Sequence, residues 1–371
     1  MGSIELTGAS TWRARWRDPR GRSRRRTFKA KDDARLFLAS VEVDSRRGVW
    51  VDPAAGRITV EAWVQEWCGT AVHLRASTKD RYERDLRRRV VPRFGQQRLV
   101  DVTPRQVTAW LAELTAQSVS PSAVNRCFRV LRMVMNAAVR GGLLASSPTR
   151  GVRPPPVVQK EMRFLSAVEV RSLAEAIHPW FATWVYFAAY TGLRWSEMLG
   201  LRRRDIDMTS GRVRVERQLT NYAGRLVFGP LKTAASRRTV TMPSFLVAMM
   251  REQLALRSEP GQDGLVFVNT KGHSPHASSF TCQVWRRAKR EAGLDGVRWH
   301  DLRHTAVALA IERGAHAKVI QERMGHSTVK VTLDRYGHVL PSIEDKIAGG
   351  LDQTYHEALP VMVATADGQA G

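Results

Sequence analysis

The chain has 371 residues, which is enough for two or three domains that each bury a core. Its 59 Lys and Arg residues against 35 Asp and Glu residues give a formal net charge of +24, a surplus suited to a polyanion such as nucleic acid. The three cysteines are far apart, the longest apolar stretch (179–190) is too short to span a bilayer, and the N-terminus lacks the apolar core of a signal peptide. The sequence therefore predicts a cytoplasmic protein, without a membrane span, a structural zinc site or a disulfide framework.

The first fifty residues predict a small basic module. Between residues 12 and 31 there are ten basic residues and one acid. The segment 11–17 alternates Trp or Ala with Arg, which indicates a half-buried strand, and a turn at 18–21, a returning strand at 23–29 and a helix follow. A hairpin with arginines on its outer face fits a sheet laid in a DNA groove; the alternative is a solvated basic hairpin without sequence preference. The arginines predicted to contact DNA here are Arg13, Arg15, Arg17, Arg22 and Arg24.

A second, helical domain is predicted after a hinge at 51–56. Apolar residues recur at helical spacing from Val60 to Trp67, which indicates core packing. A basic helix at 79–90 contains Arg84 and Arg88, which we expect to lie along DNA phosphates. Thr103-Pro104 and Ser120-Pro121 are typical helix starts, because Pro is tolerated at the first helical position. The pattern from 59 to about 144 predicts an all-helical domain.

A third domain is predicted after a stiff proline-containing linker. Ser166 is the expected cap of its first helix, and the all-apolar segment 180–190 indicates a buried helix. The segment 212–217 alternates as a strand, with 226–228 and 238–241 as companion strands, so that Lys232 lies in or beside a hairpin. We therefore predict a mainly α protein with small β elements (α+β). The predicted divisions are 1–50, 57–150, a linker at 151–161, 162–345 and a tail at 346–371.

Six residues of the third domain form a set with a common chemistry. A tyrosine can attack a phosphate if other groups neutralise its oxygens and protonate the leaving alkoxide, and the set contains all of these kinds of group. Taken singly, each has a simpler interpretation: an Arg paired with Glu197 one helical turn on, a capping or core histidine, a packing tyrosine. His304 and Asp301 are predicted to be structural groups. The six residues, in order, are Arg194, Lys232, His300, Arg303, His326 and Tyr336.

The phrases around these residues resemble the tyrosine recombinase (phage integrase) family. TGLRWSE, PLKTAASRR, HDLRHT, GHST and DRYGH match that family in order and approximate spacing between about 162 and 340. The resemblance implies a site-specific DNA recombinase that cleaves and rejoins DNA through a 3′-phosphotyrosine, with no metal and no cofactor.

The resemblance also implies a role for each residue of the set. Tyr336 is the nucleophile, and Lys232 is the general acid, with Lys271 as the alternative. The other members act at the scissile phosphate: Arg194 and Arg303 hold it, and His300 and His326 assist there and in proton transfer.

The remainder of the chain extends this resemblance. The helical stretch resembles the family's core-binding domain, and the opening module resembles the arm-binding domain of integrases such as lambda's. The implied partners are double-stranded DNA carrying core and arm-type att sites, a homotetramer on that DNA, and a DNA-bending accessory factor or an excisionase. The implied setting is the nucleoid of a bacterial host. Two alternatives stay open: a type IB topoisomerase-like relaxase and a non-catalytic DNA-binding regulator on the same scaffold.

The segment after Tyr336 has the pattern of a helix that contacts another protomer. It contains a hinge at Gly349-Gly350 and apolar residues at four-residue steps, Leu351, Tyr355 and Leu359. These form one helical stripe with little core of its own. We expect the segment to dock on a neighbouring protomer, and the alternative is a frayed tail.

Overall fold

A computed structural model describes residues 2–8, 10–18, 21–46, 55–72, 74–157, 162–222, 224–336 and 342–358. The chain forms two compact units, 1–159 and 160–371, which divide within the stretch predicted to be a linker. The structure is 56% helical and its sheets are small and antiparallel, which confirms the predicted mainly α fold with small β elements. None of the described helices is long and apolar enough to cross a membrane.

The first unit opens with a three-stranded sheet and one helix. The antiparallel strands are β1 (Ser3–Gly8), β2 (Thr11–Arg17) and β3 (Ser23–Phe28), in the order β1-β2-β3, and α1 (Lys31–Arg46) follows. Trp16 of β2 meets Phe37 of α1 edge to face, with ring centroids 5.0 Å apart, so the helix covers the tryptophan face of the sheet. The sequence predicted β2, β3 and α1 and missed β1, an edge strand whose apolar Leu6 is exposed.

The helices that follow pack around one long helix. Asp85 is buried, and its carboxylate accepts from the Arg126 guanidinium at 2.7 Å, which joins the third helix to the sixth. Thr103 caps the fifth helix in a capping box with Gln106, as the sequence predicted. The basic stretch forms a π-helical turn (Leu86–Val90) just before Pro92, where proline lacks the N–H that a regular helix would use. The helices are α2 (Val60–Thr70), α3 (Ala76–Asp85), α4 (Val91–Phe94), α5 (Pro104–Ala116) and α6 (Pro121–Arg140).

The second unit is built around a helix that is apolar on all sides. Ser166 and Glu169 form the predicted capping box at the start of the unit's first helix. Trp184 is completely buried in the apolar helix, against Phe181 and Phe267. The helices are α7 (Ala167–Ala176), α8 (Ala182–Thr191), α9 (Trp195–Leu199), α10 (Ser244–Leu256), α11 (Ala277–Phe280), α12 (Arg286–Glu291), α13 (Asp301–Glu312), α14 (Ala317–Met324), α15 (Val329–Tyr336) and α16 (Ser342–Ala358).

Five strands of the second unit form two separate sheets. One sheet has the order β4-β5-β8, and the other is a hairpin of β6 and β7. The prediction that 226–228 pairs with 212–217 was wrong. In the register of β5 with β8, Val213 lies opposite Val240 and both are buried. The hairpin contributes Leu219 of β6 to the same core, whereas Phe228 of β7 is exposed. The strands are β4 (Ile206–Asp207), β5 (Arg212–Val215), β6 (Gln218–Tyr222), β7 (Arg225–Gly229) and β8 (Arg238–Thr241).

The last described element, α16, is continuous across the two glycines predicted to be a hinge. That prediction was wrong, because both glycines lie inside an unbroken helix. The helix also crosses the predicted boundary at 345–346. Ile347, Leu351 and Tyr355 lie four residues apart and are 55%, 65% and 63% exposed, so they form an uncovered apolar stripe. Leu359 lies outside the described residues.

Candidate active site

Two short turns hold the predicted phosphate-binding residues. The first follows α8, where Gly192 adopts a left-handed conformation (φ 68°) and Arg194 caps α9. The second separates α14 from α15, where Gly325 (φ 64°) is followed by His326. Positive φ favours glycine at both positions. Arg303, on the first turn of α13, joins the two turns because its guanidinium donates to Gly192 O at 2.5 Å and to Met324 O at 2.6 Å.

Arg303 is an almost completely buried cation. Its residue surface is 4% exposed, and burial lowers the pKa of its guanidinium to about 9, with the positive charges of Arg194 and Arg238 acting in the same direction. The group still carries its charge at neutral pH. A cation that has lost its water and lies beside other cations gains strongly from an incoming anion, so this position suits a phosphate.

Arg194 is fixed by a buried carboxylate. Its backbone N–H donates to Glu197 Oε2 at 3.1 Å and its Nη1 donates to Glu197 Oε1 at 2.5 Å. Burial opposes ionisation of Glu197, but the charges of Arg238 and Arg194 outweigh it and lower the pKa of that carboxyl. The sequence offered this pair as the simple alternative to a phosphate contact. The structure contains this pair, and it orients Arg194 while part of the side chain stays exposed.

Arg238 is a member of this network that sequence reasoning missed. Its Nη2 donates to Glu197 Oε2 at 3.0 Å and its Nε donates to Arg323 O at 2.6 Å. Arg238 and Arg303 therefore bind the consecutive carbonyls of residues 323 and 324, directly before the turn that holds His326. The phrase PLKTAASRR contains Arg238, but an arginine in a short strand gave no indication of these distant carbonyl partners.

His326 lies inside the site and is only 5% exposed. The pattern Gly325-His326-Ser327 predicts a helix end followed by a turn with the histidine displayed at its tip. The turn is present, but the histidine side chain is buried and not displayed. The ring is nearly parallel to that of Tyr336, at an interplanar angle of 10° with centroids 6.5 Å apart. Its Nδ1 and the Thr332 hydroxyl form a hydrogen bond of 2.9 Å, which fixes the ring from α15.

Tyr336 is the last residue of α15 and is 1% exposed. Its ring also packs against Phe164, with centroids 6.1 Å apart. Its hydroxyl forms a hydrogen bond of 2.6 Å with His304 Nδ1. The sequence predicted His304 to be a structural group, and the structure shows that its side chain contacts the predicted nucleophile. The four-residue spacing from His300 was the available signal, since it places both histidines on one face of α13.

His300 stands just before α13 and is exposed, with its ring centroid 5.0 Å from that of His304. Partial removal from water lowers the pKa of His300 to about 4, and the charges of His304 and Arg303 lower it further in the same direction. His300 is therefore neutral at physiological pH and can donate one N–H to a phosphate oxygen. Asp301, in contrast, is buried and accepts from Arg298 at the start of α13, as the sequence predicted.

The two candidate lysines occupy different surroundings. Lys232 is exposed on the segment that follows β7. The hydroxyls of its neighbour Thr233 and of Ser236 lie 2.9 Å apart, and Ser236 Oγ accepts from Arg194 Nη1 at 3.4 Å. Lys271 instead lines a separate cavity of about 900 Å³, together with residues of α7 and α12. The contacts of Ser236 with Thr233 and Arg194 therefore connect the segment of Lys232 to Arg194, and no such connection involves Lys271 among the described hydrogen bonds.

Comparisons with known proteins identify the fold and the family. Residues 163–342 match the phage integrase family, and residues 59–115 match the N-terminal SAM-like domain of phage integrases. The integrase of Mycobacterium phage D29 is 31% identical over 334 residues, which cover 87% of this chain and 88% of that protein. The chain belongs to the phage integrase family. It is a tyrosine-type site-specific recombinase, and neither alternative, the relaxase or the non-catalytic regulator, is favoured.

Solved integrase structures share the fold of this recombinase. The integrase of transposon Tn1549, in complex with a circular intermediate DNA, superimposes with a TM-score of 0.64 at 19% identity, over 75% of this chain and 95% of that one. A lambda integrase tetramer bound to a Holliday junction gives a TM-score of 0.55 at 16% identity, over 88% of this chain and 92% of that one.

The predicted DNA-contact arginines of the recombinase's N-terminal sheet lie on two faces. Arg13, Arg15 and Arg17 are two residues apart on β2, so they share one face of the sheet, opposite α1. In the register with β3, Arg25 lies opposite Arg15 on this face, whereas Arg24 lies opposite Trp16 on the other. There Glu5 binds both Arg13 and Arg15, at 3.3 and 3.0 Å. Arg24 lies on the tryptophan face and binds the buried carboxylate of Asp18 at 3.1 Å. Arg22 is exposed at the turn.

The two predicted contacts of the helical domain are exposed. Arg84 is near the end of α3 and forms an ion pair with Asp80. Arg88 lies on the π-helical turn. Both remain accessible to a phosphate backbone. Among the described residues, no cluster of His, Cys, Asp or Glu side chains has the arrangement of a metal site.

Proposed function

We propose that this recombinase cleaves and rejoins duplex DNA at att-type sites, with Tyr336 as the nucleophile and Arg194, Arg303, His300 and His326 around the scissile phosphate. The observation that carries the proposal is the position of Arg303. Its guanidinium binds the turn that precedes Arg194 and the turn that precedes His326, and Tyr336 packs against His326. One buried cation thus gathers the nucleophile and the phosphate-binding groups.

The proposed reaction exchanges one phosphodiester for another. The Tyr336 oxygen attacks phosphorus, an O–P bond forms, and the bond from phosphorus to the 5′ oxygen breaks to leave a 3′-phosphotyrosine. Lys232 gives a proton to the leaving 5′ oxygen. Arg194 and Arg303 stabilise the charge that develops on the non-bridging oxygens. The 5′-hydroxyl of a partner duplex then reverses these steps, so the bond energy is retained.

A two-duplex assay tests this function. Two labelled duplexes carrying att sequences from the DNA that flanks the gene are mixed with the protein, and a supercoiled plasmid is treated in parallel. We expect recombinant product from the paired duplexes. Relaxation of the plasmid without recombinants would favour the relaxase, and retention of the duplexes without cleavage would favour the regulator.

We further propose that four protomers assemble on two duplexes, because recombination requires two cleavages in each. The tetramer of lambda integrase on a Holliday junction supports this assembly. A DNA-bending accessory factor or an excisionase is the proposed partner that sets the direction of the reaction. We propose that the apolar stripe of α16, formed by Ile347, Leu351 and Tyr355, docks on a neighbouring protomer, because these three large apolar side chains are exposed.

Polar substitutions on this stripe test the docking. Changing Leu351 and Tyr355 together to Ser should reduce synaptic complex formation about tenfold or more, since two large apolar side chains contribute several kcal/mol when buried. Gln353→Ser, on the opposite side of α16, is the matched control. Complexes are counted by native gel and by cross-linking. Normal synapsis by the double variant would show that α16 is an unpartnered tail.

The sheet of β1 to β3 is the proposed arm-site reader. Removal of residues 1–50 should leave binding and cleavage at an isolated core site within about twofold, but should reduce integrative recombination strongly at limiting protein. The triple change of Arg13, Arg15 and Arg17 to Gln should reproduce this defect, because these side chains share the face opposite α1 and phosphate contacts supply most non-specific affinity. Filter binding, cleavage and recombination are measured on the same preparations. Equal recombination by the truncated protein would make the sheet a solvated surface.

A further inference from the structure

The proposed reaction requires an acceptor for the proton of the nucleophile. A tyrosine hydroxyl has an ordinary pKa near ~10 and is almost fully protonated at neutral pH. The Tyr336 side chain is 1% exposed, so bulk water is excluded from its hydroxyl in this arrangement. A group of the protein must therefore take the proton when the oxygen attacks phosphorus.

We propose that His304 is this acceptor. Its Nδ1 lies 2.6 Å from the Tyr336 oxygen, within the range required of a general base, and its ring is itself buried. In the neutral imidazole with the proton on Nε2, Nδ1 is an acceptor and the Tyr336 hydroxyl donates to it. This inference rests on the proposed function, because it requires Tyr336 to be the nucleophile.

The other histidines of the site are placed less well for this role. His326 is stacked nearly parallel to the Tyr336 ring at 6.5 Å between centroids, and its Nδ1 is bonded to Thr332. His300 contacts the ring of His304, with centroids 5.0 Å apart, and it is the ring of His304 that contacts Tyr336, with centroids 5.7 Å apart. A His300 whose pKa is about 4 is also a weak base. Direct contact with the Tyr336 hydroxyl therefore favours His304.

Two groups, His304 and Lys232, account for both protons that move in the reaction. As the bond from the Tyr336 oxygen to phosphorus forms, the phenol proton moves to His304 Nδ1. As the bond from phosphorus to the 5′ oxygen breaks, Lys232 supplies a proton to that oxygen. Religation reverses both transfers, so protonated His304 returns its proton to the departing Tyr336 oxygen. His304 then acts in cleavage and in religation, as microscopic reversibility requires.

The experiment combines a substitution at 304 with a more acidic phenol at 336. Single-turnover adduct formation is followed on a duplex with a nick near the cleavage site, which traps the covalent intermediate. His304→Asn keeps a hydrogen-bonding group near the position of Nδ1 but cannot accept a proton. We expect it to slow adduct formation about 100-fold at pH 7, within the usual range for a general base, with DNA affinity within about twofold.

Fluorotyrosine in place of Tyr336 shows whether His304→Asn is slow because a base is missing or because the site is distorted. Its phenol is more acidic, so it should recover most of the rate that His304→Asn loses, and this gain should be much larger in His304→Asn than in the protein that retains His304. The pH dependence gives a second readout. The rate of His304→Asn should rise about tenfold per pH unit below the phenol pKa of ~10, whereas the rate of the parent protein levels off once the imidazole is neutral.

Three outcomes overturn the assignment of His304. The first is a His304→Asn protein that forms the adduct at the parent rate. The second is a slow variant that fluorotyrosine does not accelerate although it binds DNA normally, because this indicates a structural role. The third is a fluorotyrosine gain that appears with His300→Asn instead, which moves the role to His300. An adduct that persists in Tyr336→Phe contradicts the proposed nucleophile itself, and so distinguishes failure of the proposed function from failure of this inference.

Discussion

Tyr336→Phe is expected to abolish covalent protein–DNA adducts while DNA affinity stays within about twofold. The change removes one oxygen and keeps the ring that packs against Phe164 and His326. The expected cost in folding stability is about 1–3 kcal/mol at most, because His304 Nδ1 loses its hydroxyl partner in a buried site. Adduct formation on a nicked duplex, resolved on a denaturing gel, measures the result, and thermal melting measures the stability.

The chain offers a matched control in Tyr190→Phe. Tyr190 is half-buried on α8 of the same unit and contacts Phe245, with ring centroids 4.9 Å apart and no contact with the predicted nucleophile's ring among the described aromatic pairs. This variant should form adducts at the parent rate. An adduct in Tyr336→Phe, mapped by peptide analysis to another residue, would make the assignment of the nucleophile wrong.

Local signals explain what the sequence predicted well. Thr103 and Ser166 cap their helices through backbone atoms three residues away, so the required chemistry is visible in a short window. The alternation of Trp and Arg in β2 predicts its two faces for the same reason. The six candidate site residues were proposed from local patterns of the same kind, each at a turn or near a helix end.

The errors concern partners that are distant in sequence. Nothing within β7 specifies that it pairs with β6 and not with β5, since the residues of a strand do not by themselves fix its neighbour. Arg238 binds a carbonyl that lies 85 residues further along the chain, and His304 binds a hydroxyl 32 residues further along. Such contacts follow from tertiary packing, which no local period encodes.

The glycine pair of α16 and the surroundings of His326 show a second limit. Each glycine costs about 1 kcal/mol in a helix relative to alanine, which predicts a break but does not require one. A histidine after Gly325 is expected in a turn, yet its exposure depends on Tyr336, which packs over it from α15. Propensity identified these positions, and packing decided their structure.

Lys232→Ala is expected to slow cleavage of an ordinary duplex by about 10²- to 10⁴-fold, the range for loss of a general acid. The same change should cost far less on a duplex whose scissile phosphate carries a bridging 5′ sulfur. The sulfur leaves as a stable thiolate and needs no proton, so the substrate bypasses the step that Lys232 serves. Both rates are measured in single turnover at saturating protein.

Lys271→Ala is the matched control, because it removes the same charge from a lysine that lines a separate cavity. Its rates should match those of the parent protein on both substrates. A sulfur-dependent rescue of Lys271→Ala would transfer the general-acid role to that residue. Equal defects of Lys232→Ala on oxygen and sulfur would instead make Lys232 a phosphate contact. The connection of its neighbour Thr233 through Ser236 to Arg194 favours Lys232 over Lys271, because it places the segment of Lys232 beside a residue proposed to hold the scissile phosphate.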